Sequence, residues 1–175
     1  ENYIQKIIKK ILNNLKFIKS QKDGVIINTY LPTFYEKILE LSFLQIPKNW
    51  RLKKIKYNTF NQNLREKIIL KKNLDKSLEN FIRVNIKNFL PISTVESFYE
   101  IIQKTKMSGL PEKPKFIFTS NDFENNEILK FYVALKTREE NTKYIIGQHG
   151  NTYFTDLRSD KFRSEFNFSD KFLTW

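Results

Sequence analysis

The segment Lys115–Gly150, read with its leading proline as PKFIFTSNDFENNEILKFYVALKTREENTKYIIGQHG, narrows the choice of fold more than any other part of this chain. Phe116-Ile117-Phe118 and Tyr144-Ile145-Ile146 are short, wholly apolar runs, the pattern of strands covered on both faces. Between them, Phe123 to Glu140 carries apolar residues nearly all round, which predicts a helix packed on more than one side. The whole has the length of one βαβ unit, and such units build parallel sheets. Parallel strands end at the same edge. Ser120-Asn121-Asp122 and Gly147-Gln148-His149-Gly150 should therefore emerge side by side, where open α/β sheets bind ligands.

That edge supplies the candidate site. Asn121 with Glu124 three residues on resembles a capping box, which would start the helix and turn its free N–H groups toward a ligand. Thr119 and Ser120 add hydroxyls. His149 follows an apolar strand between Gly147 and Gly150, residues that let backbone approach a ligand closely. A neutral imidazole there can take a proton from a hydroxyl nucleophile. The plainer reading is a histidine satisfied by a tight turn. Gln148 would bind ligand or brace the loop. Residues 151–169 are polar and aromatic and are expected to wrap over the sheet edge, where Arg158 and Arg163 would clamp an anion or serve as surface charge. Ser169-Asp170 would turn the chain into a last strand, Phe172–Trp175.

Upstream, residues 1–110 read as mainly helical. An apolar stripe (Ile4, Ile7, Ile8, Ile11, Leu12, Leu15, Ile18) predicts a helix over 1–22, either packed with a solvated basic face or lying on a membrane surface. Val25-Ile26-Ile27 reads as a strand. Pro32 would open a helix to about Gln45 with Phe34, Ile38, Leu41 and Leu44 inward. Lys48 to Tyr57 interleaves basic residues with Trp50 and Tyr57, a pattern that grips nucleic acid or head groups and also occurs in exposed connections. Further helices are expected over 64–70, from Leu74 to Phe89, and over Val95–Met107, before a Gly/Pro loop at 108–114.

With no cysteine and one histidine, neither disulfides nor the usual zinc ligand sets can be assembled, and no metal is expected. The 40% hydrophobic content excludes a disordered tail, and no uninterrupted apolar run reaches the ~18 residues of a spanning helix. The net charge of +12 fits a polyanion partner, and equally a base-composition bias that raises Lys, Asn, Ile and Phe together. Since the first residue is Glu1 and Trp175 closes an apolar run, the chain reads as part of a larger protein.

Lys115-Phe-Ile-Phe-Thr-Ser-Asn121, Tyr144-Ile-Ile-Gly-Gln-His-Gly150 and Ser169-Asp-Lys-Phe-Leu-Thr-Trp175 together resemble a bacterial family of transferases of surface carbohydrate biosynthesis. Asn28-Thr-Tyr-Leu-Pro32, Gln45-Ile-Pro47 and Phe89-Leu-Pro-Ile92 resemble it more weakly. Such proteins are similar to GT-B glycosyltransferases, so the resemblance implies an α/β, Rossmann-like parallel sheet with a helix-rich N-terminal two-thirds. Residues 1–175 would be a single, partial acceptor-side domain, with 115–175 its βαβ core and the C-terminal donor domain absent. It implies transfer of a sugar or polyol phosphate from a nucleotide-activated donor, bound mainly by the missing domain, to a glycan or lipid-linked acceptor. No other cofactor is implied. The isolated fragment would be inactive, and the protein cytoplasmic or peripheral at the anionic inner membrane.

A looser likeness is to CDP-glycerol glycerophosphotransferases and capsule Kdo transferases. His149-Gly150 matches the end of the Trp-His-Gly motif of the former, whose histidine is thought to act as a base, and implies that role for His149. Ser120, Asn121, Gly147, Gln148, Gly150 and, secondarily, Glu165 would contact substrate. Asn151 stands where the family tends to have a glycine, and Phe154 departs from its Tyr-Gly pair. The competing readings are a nucleic-acid-binding module, ranked below the enzyme because no helix-turn-helix, RRM or finger pattern is present, and a non-catalytic scaffold.

Overall fold

A computed structural model describes residues 22–52, 55–70, 78–150 and 161–174, with side chains throughout except at 161–164. The helix expected over 1–22, Leu74, Arg158 and the side chain of Arg163 lie outside the described residues. The architecture is mixed α/β around a parallel sheet. Its strands, β1 (Val25–Ile26), β2 (Phe116–Thr119), β3 (Lys143–Gly147) and β4 (Lys171–Leu173), pair side by side in chain order, every pair parallel. Expected strands are thus present, and the βαβ unit with them. The order never reverses, so among the described strands the carboxyl edge has no topological switch point.

Both faces of the sheet are covered, which is why its strands read as unbroken apolar runs. On one face Val25, Ile117, Tyr144 and Ile146 join Leu129 and Tyr132 of the crossover helix in the main core. On the other, the Phe116 ring meets Phe43 at 4.8 Å. The Tyr132 hydroxyl donates to the Pro111 carbonyl at 2.7 Å, and burial pushes its ionisation upward. Helices ahead of the core are α1 (Thr33–Ser42), α2 (Gln62–Glu66), α3 (Leu78–Phe89) and α4 (Phe98–Lys106), with a 3-10 turn over Ile92–Thr94.

Several boundaries move from the sequence reading. The 123–140 helix is two pieces, α5 (Asp122–Asn125) and α6 (Glu127–Glu139), because Asn126 leaves helical geometry and its side chain accepts from Leu129 N. The 64–70 helix sits earlier, as α2, because Asn61 caps it through Leu64 N. Helix α1 ends at Ser42 rather than near Gln45, and its Phe34, Ile38 and Leu41, with Leu44 just beyond it, are exposed rather than inward. The face turned inward is set by Glu40, whose carboxylate accepts from Lys48 N and Lys37 Nζ. Burial raises the Glu40 pKa above the usual carboxylate value. Residues 161–168 form a helix, α7 (Lys161–Phe168), where an irregular wrap was expected.

Two polar devices hold the periphery. Gln45 closes on Gly24, accepting from its N–H at 2.8 Å and donating to its carbonyl at 2.9 Å. Arg65 and Glu96 form a buried fork–fork pair at 2.6 and 2.8 Å, and Arg65 also donates to the Lys87 carbonyl. The hydrogen bond from Arg65 holds the Glu96 pKa down at about 2.

Leu129 is fully buried in the main core. Leu129→Ala should therefore lower unfolding free energy by about 2–5 kcal/mol, read as a fall in the urea midpoint. For Glu96, a folded pKa below the unfolded one means stability present above about pH 4.5 and lost as pH falls toward 2. Glu96→Gln should lower stability at pH 6 and reduce the further loss on going to pH 3. Urea titrations at both pH values measure this.

Candidate functional site

The carboxyl ends of β2 and β3 lie side by side, as their register (Thr119 opposite Ile146) requires. Their contact is close because residue 147 is glycine. A Cβ there would lie 2.4 Å from Ser120 Oγ and 3.0 Å from the Phe118 ring. Ser120 is buried, and its N–H donates to the Asn28 carbonyl at 3.3 Å, tying the end of β1 to the same edge. Ser120 and Gly147 line a cavity of about 460 Å³ on the α1 side of the sheet, with Tyr30, Leu31 and Leu173.

His149 belongs to the opposite side. Its ring meets Phe123 edge-on at 5.3 Å between centroids, and its Nδ1 lies 3.8 Å from Glu165 Oε1. The imidazole is 28% exposed and the Glu165 side chain 2%. Glu165 arrives from α7, which is docked on β4 through a Phe166–Phe172 ring contact at 4.5 Å. Ser169 Oγ bonds the Glu165 carbonyl, and Asp170 then bonds Tyr144 N and Lys143 Nζ, which starts β4 in register. Those bonds, Lys143 first, hold the Asp170 pKa below the ordinary value. Beneath the cluster, burial raises the Tyr144 pKa, with Asp122 and Glu165 adding to it.

Glu124 completes the group. One ligand atom from each of Glu124, His149 and Glu165 lies within 4.8 Å of the others, so among the described residues these three could hold a divalent cation once drawn closer together.

The sequence-predicted residues therefore divide. Ser120 and Gly147 share one cavity, and His149 with Glu165 stands across the sheet edge from it. Asn121 makes no cap and is no part of a capping box. Its side chain accepts from the Tyr30 hydroxyl at 3.1 Å, while Thr119 Oγ1 takes the Asp122 N–H. Gln148 is buried and braces the loop: its side chain donates to the Gly150 carbonyl and its N–H to the Leu173 carbonyl. Glu165, a secondary candidate in sequence, comes within 3.8 Å of the imidazole; residues 151–160 separate the two in the chain and the helical placement of Glu165 carried no motif.

A cleft of about 790 Å³ that the sequence did not single out opens on the other flank of α5, beside the end of β1. Asp122 and Asn125 line it, whereas Phe123 and Glu124 turn to His149. Trp50 and Tyr57 of the basic, aromatic segment also line it, and Lys48 of that segment is engaged by Asp23 at 2.5 Å. Among the described residues, no helix is long and apolar enough to cross a membrane.

Gly147→Ala should cost about 1–3 kcal/mol through overpacking against Ser120. Ser120→Ala in the same chain should recover part of that loss, since the two sites are in contact. Urea midpoints of the two single variants and the double variant give the coupling.

A family model described as LIC12162 family transferase matches residues 1–175. No curated protein and no solved structure matched the chain.

Proposed function

The chain belongs to the LIC12162 family of transferases, and on that premise we propose that it is the acceptor-side part of a GT-B-like glycosyltransferase of bacterial surface carbohydrate (lipopolysaccharide or capsule) biosynthesis. The reaction moves a sugar or polyol phosphate from a nucleotide-activated donor to a glycan or lipid-linked acceptor hydroxyl. A donor-binding domain outside residues 1–175 holds the nucleotide.

One observation carries this reading: a part-exposed imidazole backed by a buried carboxylate, at the carboxyl edge of a parallel sheet. Glu165, within ion-pair range of Nδ1, orients the ring. Nε2 is then the atom that meets the acceptor. As the acceptor oxygen bonds to the anomeric carbon or the phosphorus, its proton passes to Nε2 and the nucleotide phosphate leaves with the bonding pair. The imidazolium is paired with the Glu165 carboxylate as it forms. Ser120 and Gly147 keep the neighbouring strand end in place. The net charge of +12 favours docking of this cytoplasmic protein at an anionic membrane face, where lipid-linked acceptors sit.

His149→Ala in the full-length protein should lower transfer by about 10²–10⁴-fold, the usual worth of a general base. Glu165→Gln should lower kcat less and shift its pH profile. Near-normal transfer by His149→Ala would remove the imidazole from the chemistry. EDTA should leave the rate unchanged; loss restored by Mn²⁺ would instead assign Glu124, His149 and Glu165 to a cation.

A further inference from the structure

The cleft beside β1 is large enough for a ligand, within the range of about 300–1,000 Å³ typical of small-molecule sites. Its chemistry is at odds with the rest of the chain. Three carboxylates, Glu36, Asp122 and Glu127, line it, and among the described residues no Lys or Arg does, although the chain carries 31 such residues. Among the described lining residues a phosphate or nucleotide would meet carboxylates and no cation. The carboxylates are themselves held: Glu36 by Thr29, Asp122 by Asn28 and Asn126, Glu127 by Lys130. Asn49 and Asn125 add exposed amides, which both donate and accept.

Aromatic surface completes the set. Trp50 and Tyr57 line the cleft, and Trp50 is steadied from behind by core packing and by Lys48 over its ring. The Trp50 Nε1–H is buried without a hydrogen-bond partner. Fixed carboxylates, amides and a flat apolar ring match alternating hydroxyls and C–H faces. From this lining we infer that the cleft binds an uncharged or amine-bearing saccharide and rejects phosphate and nucleotide.

The saccharide is the acceptor, and for that word alone the inference rests on the transfer reading. Asp122 and Asn125 face the cleft while Phe123 and Glu124 face His149, so the width of α5 separates the bound sugar from the imidazole. Crossing about a helix width of ~10 Å asks for an acceptor of more than one sugar unit.

The test is saturation-transfer difference NMR on the full-length protein with cellobiose, methyl β-glucoside and glucosamine, with UDP and inorganic phosphate as competitors. Signals should come from the sugar ring protons, cellobiose strongest, and neither competitor should displace them. Asn49→Ala with Asn125→Ala should weaken binding about tenfold, as expected for two lost hydrogen bonds, and both positions are exposed enough to spare the fold. Trp50→Leu should abolish binding. His149→Ala should bind sugar as the parent does, so loss of transfer with retained binding separates the two readings. Displacement by UDP or phosphate, parent-like binding by the double variant, or no signal from any of the three sugars would overturn the assignment.

Discussion

The missing side chain at residue 147 governs how closely β2 and β3 approach where they leave the sheet. With a Cβ there, Ser120 Oγ and the Phe118 ring would have to withdraw. Ser120 in turn is bonded through its N–H to Asn28, and the next residues begin α5. The offset between the two strand ends therefore sets where Asp122 and Phe123 fall, and so which flank of α5 meets the cleft and which meets His149. Three segments distant in sequence share one edge through a contact only glycine permits.

The local electrostatics run against the overall charge. Around the single histidine of a chain with net charge +12 stand Glu124 and Glu165, and Asp122 lies within electrostatic reach of the Tyr144 hydroxyl below. An imidazole that takes up a proton in the proposed reaction would find the Glu165 carboxylate within ion-pair range.

Much of the sheet was legible because buried parallel strands must be apolar on both faces. Phe116–Phe118, Tyr144–Ile146 and Val25-Ile26 could hardly be anything else. The site was half legible. Gly147 and His149 announce themselves at a strand end, but Glu165 reaches the imidazole through tertiary packing of α7, which no local pattern encodes. Asn121 does not cap α5, since its side chain accepts from Tyr30 and Thr119 Oγ1 takes the Asp122 N–H, while Asn126 caps the separate helix α6. On α1 the apolar periodicity pointed to one face, whereas two hydrogen bonds to the Glu40 carboxylate decided for another. The cleft was illegible for the same reason: its described walls come from three separate segments of the chain.

Gln45 carries a consequence for assembly. In a parallel strand the N–H and C=O of one residue point the same way, and Ile27 directs its N–H toward β2. Gly24, at the opposite parity, therefore turns its pair outward along the border of the sheet, where a foreign strand would seek to join. The amide of Gln45 already occupies both groups, in the geometry a visiting backbone would use. Among the described residues, a single side chain thus stands in for one residue of a neighbouring strand and denies a visiting backbone that foothold on the β1 border.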